Sequence, residues 1–127
     1  MKILGIGVDL IENKRIKELI KNHKFRKRIY SNKELKQSSL YKNKVGYFSK
    51  RFAAKEAFAK ALGTGISNGI NFNEIVILNK KSGKPYINII GQTKRTLKKK
   101  FKNKKSKISL SLSDEKKYAV AFVTISL

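Results

Sequence analysis

The sequence predicts a single α+β domain, a small antiparallel sheet packed with helices. Its 127 residues are enough for one modest core and too few for two domains. Segments with helical spacing and segments with strand alternation mix without a repeating βαβ rhythm, and short turns join neighbouring strands as in hairpins. Hydrophobic residues make up 40% of the chain, so residues 1–127 are expected to fold as one unit rather than stay disordered.

The first half of the chain is predicted to contain one strand followed by three helices. A strand over Ile3–Ile11 is followed by apolar residues at helical spacing over Glu12–Asn22. Ser31–Glu34 has the capping-box pattern that begins a short helix. An alanine-rich helix over Ser49–Leu62 ends at Gly63, a residue typical of helix C-termini.

The second half contains two hairpins separated by a basic helix. A loop rich in Gly and Asn leads into the first hairpin, and the lysine-rich segment leads into the second. The predicted elements are a loop at Gly65–Asn73, strands at Glu74–Leu78 and Tyr86–Ile90 around the turn Lys80–Pro85, a helix at Gln92–Lys102, and strands at Ile108–Ser113 and Tyr118–Leu127.

Several classes of protein are excluded by composition. There is no Cys, so disulfides and thiolate chemistry are absent, and the lone His23, placed in a basic loop, cannot supply the usual zinc or Ser-His-Asp sites. No apolar run approaches a membrane-spanning length, and the beginning of the sequence does not resemble a signal peptide. We expect a cytoplasmic protein without a membrane partner.

The charge balance, 31 Lys and Arg against 8 Asp and Glu, gives a formal charge of +23 and an affinity for anions. Only five of these cations are Arg, the residue that nucleic-acid readers favour, so a general bias towards Lys explains much of the excess. The rival interpretation is a nucleic-acid-binding module that uses Lys94–Lys107 as a phosphate stripe and Phe101 as a stacking platform. It leaves the acids Asp9 and Glu56 unexplained, because carboxylates repel phosphates.

Five of the eight acids fit solvent or helix caps, and Asp9 and Glu56 do not. (The five are Glu12, Glu18, Glu34, Glu74 and Glu115.) Strand alternation places Gly5, Gly7 and Asp9 on one face, where the paired glycines allow a bulky group to approach the backbone, with a β-bulge as the structural alternative. Asp114, the remaining acid, is explained by the turn that it opens.

Glu56 lies in an alanine- and phenylalanine-rich helix that is predicted to be buried. Lys60 follows at the i+4 position, so an ordinary surface ion pair is one explanation for the acid. The apolar surroundings favour another, a bound cation that offsets the cost of a buried charge. Two carboxylates without soft ligands suit Mg²⁺, which shares its remaining positions with waters and phosphates, and Lys60 would then contact a phosphate oxygen.

These segments resemble one known family, holo-[acyl-carrier-protein] synthase. The resemblance rests on Gly5–Glu12 with Arg15-Ile16, on Arg51–Ala57 continuing to Ile66, on Gly83-Lys84-Pro85, and on Ser109–Glu115 with Tyr118–Ala121. These blocks cover essentially the whole chain in order. The family transfers the 4′-phosphopantetheine group of coenzyme A to a serine of apo acyl carrier protein, releases adenosine 3′,5′-bisphosphate, supports fatty acid biosynthesis and forms homotrimers.

The resemblance implies roles for individual residues. Asp9 and Glu56 would hold Mg²⁺ and act in catalysis with Lys60, while the general base stays open between a metal-activated water and one of the carboxylates. The residues implied in coenzyme A binding are Arg51, Lys60, Gly65, Gly83, Lys84, Pro85 and Ser109, partly from an adjacent subunit. Ser109 stands where many members have His, which leaves any role of that His open.

The resemblance also gives the charge a partner. Acyl carrier proteins are strongly acidic, and family members dock them on the first helix, at Arg15. Four further cations are chosen by charge and region only: Lys21, Lys24, Arg26 and Arg28. Opposite charges would raise the association rate and make it depend on salt.

Overall fold

Two antiparallel sheets form the framework of the computed structural model, which describes residues 1–63 and 69–127. The larger sheet has three strands in the order β1-β5-β4, so the first strand pairs with the last. The smaller sheet is the hairpin β2-β3. The strands are β1 (Ile3–Glu12), β2 (Ile75–Asn79), β3 (Pro85–Ile89), β4 (Lys107–Asp114) and β5 (Tyr118–Ser126).

The helices, of which the longest packs on the larger sheet, confirm the predicted α+β class. They are α1 (Asn13–Leu19), α2 (His23–Ile29), α3 (Asn32–Gln37), α4 (Lys44–Leu62) and α5 (Gly91–Lys100), with short 3₁₀ helices at Ser38–Leu40 and Phe72–Glu74. Among the described residues, none of these helices combines the length and the apolar character that crossing a membrane takes.

The central element is α4, which is buried on nearly every side as its composition predicts. It lies so close to β1 that a Cβ added to Gly7 would stand 1.8 Å from the carbonyl oxygen of Ala57, and one added to Gly5 would stand 1.8 Å from that of Ala61. The bulky group that the two glycines accommodate is therefore the helix backbone itself. This packing brings α4 alongside Asp9.

The opposite face of β1 is apolar and faces outwards. Leu4, Ile6, Val8 and Leu10 alternate with the glycines as predicted, and Leu10 is 63% exposed. On the neighbouring strand, Phe122 pairs with Val8 and extends the row. This outward row leaves an apolar surface that no residue of the described ranges covers.

Several helix boundaries differ from the sequence-based prediction. The sequence predicts a loop at His23, but this residue begins α2, because the Asn22 side chain accepts a hydrogen bond from Phe25 N (3.1 Å) and caps the helix. The helix expected over Glu12–Asn22 consequently ends at Leu19. Helix α4 begins at Lys44 rather than Ser49, since Asn43 caps it in the same way through Gly46 N (3.0 Å).

Among the described residues, one ion pair is completely buried, between Glu34 of α3 and Lys55 of α4. Lys55 Nζ lies 2.7 Å from Glu34 Oε1, and neither side chain is exposed to solvent. Lys55 also donates to the carbonyl oxygens of Phe72 (2.9 Å) and Ile75. Burial lowers the pKa of Lys55 to about 8, and the Glu34 charge opposes that shift.

Candidate active site at the junction of strand β1 and helix α4

Asp9 and Lys60 meet where β1 crosses the C-terminal half of α4. Lys60 Nζ donates to Asp9 Oδ1 (3.1 Å) and to the carbonyl oxygen of Val8 (3.1 Å). The Asp9 side chain is 14% exposed and that of Lys60 is 55% exposed, so the pair borders solvent. Helical spacing suggested that Lys60 pairs with Glu56; its ion pair is with Asp9 instead, because the glycines of β1 bring that strand onto the helix.

Glu56 lies one helical turn before Lys60 and is partly buried. Burial raises the pKa of Glu56, and the negative charge of Asp9 raises it further. Lys60 and Arg15 act in the opposite direction on the same pKa and do not overcome these effects. The two carboxyls therefore lie close enough to repel each other, in a place where neither is fully hydrated.

This donor set fits a hard divalent cation. Within residues 1–63 and 69–127, no group of three or more His, Cys, Asp or Glu side chains gathers into a metal site. Mg²⁺ is commonly held by one or two carboxylates together with waters and substrate phosphates, so Asp9 and Glu56 are a sufficient share from the protein. A cation between them would also remove the repulsion that raises the pKa of Glu56.

A cleft of about 520 Å³ leads to Glu56. Its floor is apolar and includes Phe25, Phe52 and Phe72, while Arg15 and Arg28 stand at its edge. The cleft thus combines an apolar surface, two cations and a carboxylate.

The five predicted docking residues do not share one surface. Arg15 and Arg28 border the cleft, but Arg26 donates to the carbonyl oxygen of Ile20 (2.5 Å) and faces a separate groove on the other side of α2. Lys21 is paired with Glu18 at 3.1 Å. Lys24 is exposed at the start of α2.

Arg51 and the turn before β3 are joined by a residue that the sequence did not single out. Arg51 is 3% exposed, and its Nη2 donates to Asn79 Oδ1 (2.8 Å). Asn79 Nδ2 in turn donates to the carbonyl oxygen of Gly83 (3.0 Å), next to Lys84 and Pro85. An asparagine at a strand end is common, and its sequence context carries no signal for this bridge.

Ser109 lies on β4 with its side chain exposed, as do Ser111 and Ser113 of the same face. These serines continue the sheet face that carries the outward row of β1. Asp114, at the end of β4, lies 3.8 Å from Lys50 Nζ. Gly65 lies outside the described residues.

The sequence also missed the role of Glu34. Its capping box is present, since Ser31 N donates to Glu34 Oε1 (2.9 Å) and Ser31 Oγ accepts from Glu34 N. Yet the carboxylate is also fully buried, where it forms an ion pair with Lys55 and accepts a hydrogen bond from Ile77 N (3.0 Å). Its partners are 21 and 43 positions away, beyond the reach of a local pattern.

Comparison with known proteins places this architecture in a family. The sequence model of the 4′-phosphopantetheinyl transferase superfamily matches residues 5–123. The holo-[acyl-carrier-protein] synthase of Pelagibacter ubique is 49% identical over 98% of both chains. The chain belongs to the 4′-phosphopantetheinyl transferase superfamily and, within it, to the holo-[acyl-carrier-protein] synthases, which confirms the resemblance and the prediction of an enzyme.

Solved structures show the same fold. The crystal structure of the synthase from Neisseria meningitidis has a TM-score of 0.90 at 39% identity and covers 98% of this chain and 99% of its own. The synthase from Bacillus anthracis, described in complex with CoA (3′,5′-ADP), has a TM-score of 0.82 at 33% identity, with 99% and 98% covered.

Proposed function

We propose that this enzyme transfers the 4′-phosphopantetheine group of coenzyme A to a serine of apo acyl carrier protein, dependent on Mg²⁺, in support of fatty acid biosynthesis. The observation that carries the proposal is the meeting of Asp9, Glu56 and Lys60 at one solvent-bordered junction, within a chain that matches holo-[acyl-carrier-protein] synthases over its length. We keep the cytoplasm as the proposed location, an expectation that rests on the sequence alone.

In the proposed reaction, the serine oxygen attacks the β-phosphorus of coenzyme A, and the bond to the bridging oxygen breaks to release adenosine 3′,5′-bisphosphate. Asp9 and Glu56 are the residues that would hold Mg²⁺. The bound ion would supply charge neutralisation on the diphosphate. Lys60, more than half exposed beside Asp9, is free to turn its ammonium towards a phosphate oxygen. The serine proton passes to water or to one of the carboxylates.

The cleft is the proposed docking surface for the carrier protein. It borders Glu56 and presents Arg15 and Arg28, which suit an acidic partner, above an apolar floor that suits the buried centre of an interface. Three of the predicted docking residues do not border the cleft and would contribute only to the long-range electrostatic attraction of the acidic partner: Lys21, Lys24 and Arg26.

A matched pair of substitutions tests this surface. Arg28→Gln is expected to raise KM for the carrier protein by roughly tenfold, the effect of losing one well-placed charge contact. Lys27→Gln removes the same charge one residue away, on the side of the separate groove, and should leave KM unchanged. Equal effects of the two variants at several salt concentrations would contradict docking in the cleft.

We also propose that the outward row of β1 is covered by further copies of this chain in a homotrimer. Leu4, Ile6, Val8, Leu10 and Phe122 form a contiguous apolar surface, which monomeric proteins rarely expose. Coenzyme A would then lie between subunits, with Arg51, the Gly83-Lys84-Pro85 turn and Ser109 as further contacts. The exposed serines on the same sheet face suit this arrangement.

The substitution Val8→Lys tests the proposed trimer. Light scattering should then measure the mass of a monomer, and a particle as large as that of the wild type would contradict the proposal.

The nucleic-acid-binding alternative uses Phe101 as its stacking platform. Phe101 is partly buried and packs against the core, which leaves less of its ring available to a base. The test is incubation with coenzyme A, Mg²⁺ and apo carrier protein, followed by the mass of the carrier. A gain equal to the phosphopantetheine arm supports the transferase. No gain, together with salt-sensitive binding to DNA or RNA, supports the alternative.

A further inference from the structure

Arg51 is a buried cation whose charge meets no carboxylate in the described part of the chain. Its guanidinium carbon stands 3.6 Å from the centre of the Tyr47 ring and 5.5 Å from that of Tyr41. Within the described residues, Nε of Arg51 is buried and has no hydrogen-bond partner, although Nη1 donates to the carbonyl oxygen of Tyr47 (3.3 Å). Aromatic faces compensate a buried charge only in part, so this cation retains the capacity to attract an anion.

Asn79 is what fixes this guanidinium relative to the turn at Gly83. Its carbonyl oxygen accepts from Arg51 and its amide nitrogen donates to the Gly83 carbonyl oxygen, at 2.8 and 3.0 Å. A side-chain amide accepts and donates at once without bringing a charge of its own. One residue at the end of β2 thus links α4 to the hairpin turn.

The turn itself depends on Gly83. Its φ of 93° lies in the left-handed region, while a Cβ there would meet nothing within 4 Å, so glycine is required for backbone conformation and not for space. Gly83 N donates to the Lys80 carbonyl oxygen (2.8 Å) and Lys80 N to that of Lys84 (2.9 Å). With the Gly83 carbonyl held by Asn79, the direction in which Lys84 leaves the turn is also set.

We propose that Asn79 is a positioning residue for coenzyme A binding, which holds Arg51 and the Gly83-Lys84-Pro85 turn as one anion-binding unit. The inference rests on the proposed function and deepens it. The neutrality of Asn79 is essential: a carboxylate here would pair with Arg51 and cancel the charge that a phosphate needs.

The experiment compares two substitutions of Asn79 with a control. Asn79→Ala removes both bonds and is expected to raise KM for coenzyme A roughly tenfold, with kcat and KM for the carrier protein unchanged. Asn79→Asp keeps an acceptor for Arg51 and adds a charge; it should raise Tm and yet raise KM for coenzyme A more than Asn79→Ala does. Asn88→Ala, at an exposed asparagine of β3, is the control and should change neither Tm nor KM for coenzyme A.

Calorimetric titration with adenosine 3′,5′-bisphosphate gives a readout apart from turnover. A dissociation constant for both Asn79 variants equal to that of the wild type, in protein that is folded and transfers, would overturn the positioning role alone. A wild-type protein that neither transfers nor binds the nucleotide would overturn the proposed function and this inference together.

Discussion

Lys55 and Lys60 of helix α4 lie five positions apart, and each meets a carboxylate from another element in a different way. Lys55 and Glu34 are fully buried, and every strong contact of the pair is made within the protein, with two carbonyl oxygens on one side and two backbone amides on the other. Lys60 and Asp9 border solvent, and a second carboxyl, Glu56, stands beside them with a raised pKa.

The difference separates a pair that is complete within the fold from the pair at the proposed ligand site. A buried pair is tolerated only when its remaining donors and acceptors are satisfied, as those of Lys55 and Glu34 are. The site at Asp9 is the reverse, because it has two acids for one paired lysine and gains from an added cation. We therefore interpret the complete pair as structural and the incomplete one as the candidate binding site.

The largest expected effect is on the complete pair. Lys55→Met leaves Glu34 as an unpaired buried charge and should lower the free energy of unfolding by about 3–5 kcal/mol. Urea denaturation followed by circular dichroism measures it. Lys60→Met, the same substitution on the same helix, is the control. If both variants lose equal stability, the distinction between the pairs is wrong.

The incomplete site should show the next largest effect, in catalysis. Glu56→Gln keeps the size of the side chain and removes its charge, so transfer should fall about a hundredfold or more because the proposed Mg²⁺ site would lose one of its two carboxylates. Mg²⁺ should raise the Tm of the wild type and leave that of the variant unchanged. Glu18→Gln, which removes an exposed glutamate of α1, is the control. Full activity of Glu56→Gln would remove this residue from the mechanism.

A smaller change is expected for the stability of Lys60→Met. The pair with Asp9 is solvent-bordered, and such pairs contribute only about 0.2–1 kcal/mol. Transfer should nevertheless fall, since the proposed phosphate contact is lost. A variant with wild-type turnover and markedly lower stability would assign Lys60 to the fold instead.

The smallest effect concerns pH. The pKa of Glu56 is raised in the folded protein, so the protonated carboxyl of Glu56 is favoured by folding. The contribution of this carboxyl to stability is therefore lost as the pH rises from the unfolded-state pKa through the folded-state pKa. In the absence of divalent ions, Glu56→Gln should therefore match the Tm of the wild type near about pH 4 and exceed it slightly near about pH 7. Scanning fluorimetry in EDTA measures the difference. A constant difference across this range would contradict the raised pKa.

The sequence predicted the parts of this site that depend on local pattern. The composition of α4 indicated its burial, and the alternation in β1 placed Asp9 on the glycine face. It could not predict that the glycines accommodate α4 or that Lys60 pairs with Asp9, because these contacts join residues about fifty positions apart. The residue roles carried over from the family stay predictions that the substitutions above test.

Other features escaped for similar reasons. Glu34 matched a capping box so well that nothing suggested a second, buried partner. The sequence does not predict helix α2 because this segment is mostly basic, although Asn22 as a cap and the buried pair Phe25 and Ile29, four residues apart, are signals of a helix. Asn79 gives no local signal, since its importance comes from two contacts in different elements.

The two faces of strand β1 have different surroundings, and neither tolerates the residues of the other. Odd-numbered positions from Gly5 to Asp9 face α4, and the even-numbered positions between them face away from the molecule. Because neighbouring side chains alternate, inserting or deleting one residue upstream of Asp9 within the strand would turn that carboxylate outwards and drive a branched side chain into the carbonyl oxygens of α4. Length variation among natural relatives should therefore avoid this strand and accumulate in the loops, where a change in residue number leaves both faces intact.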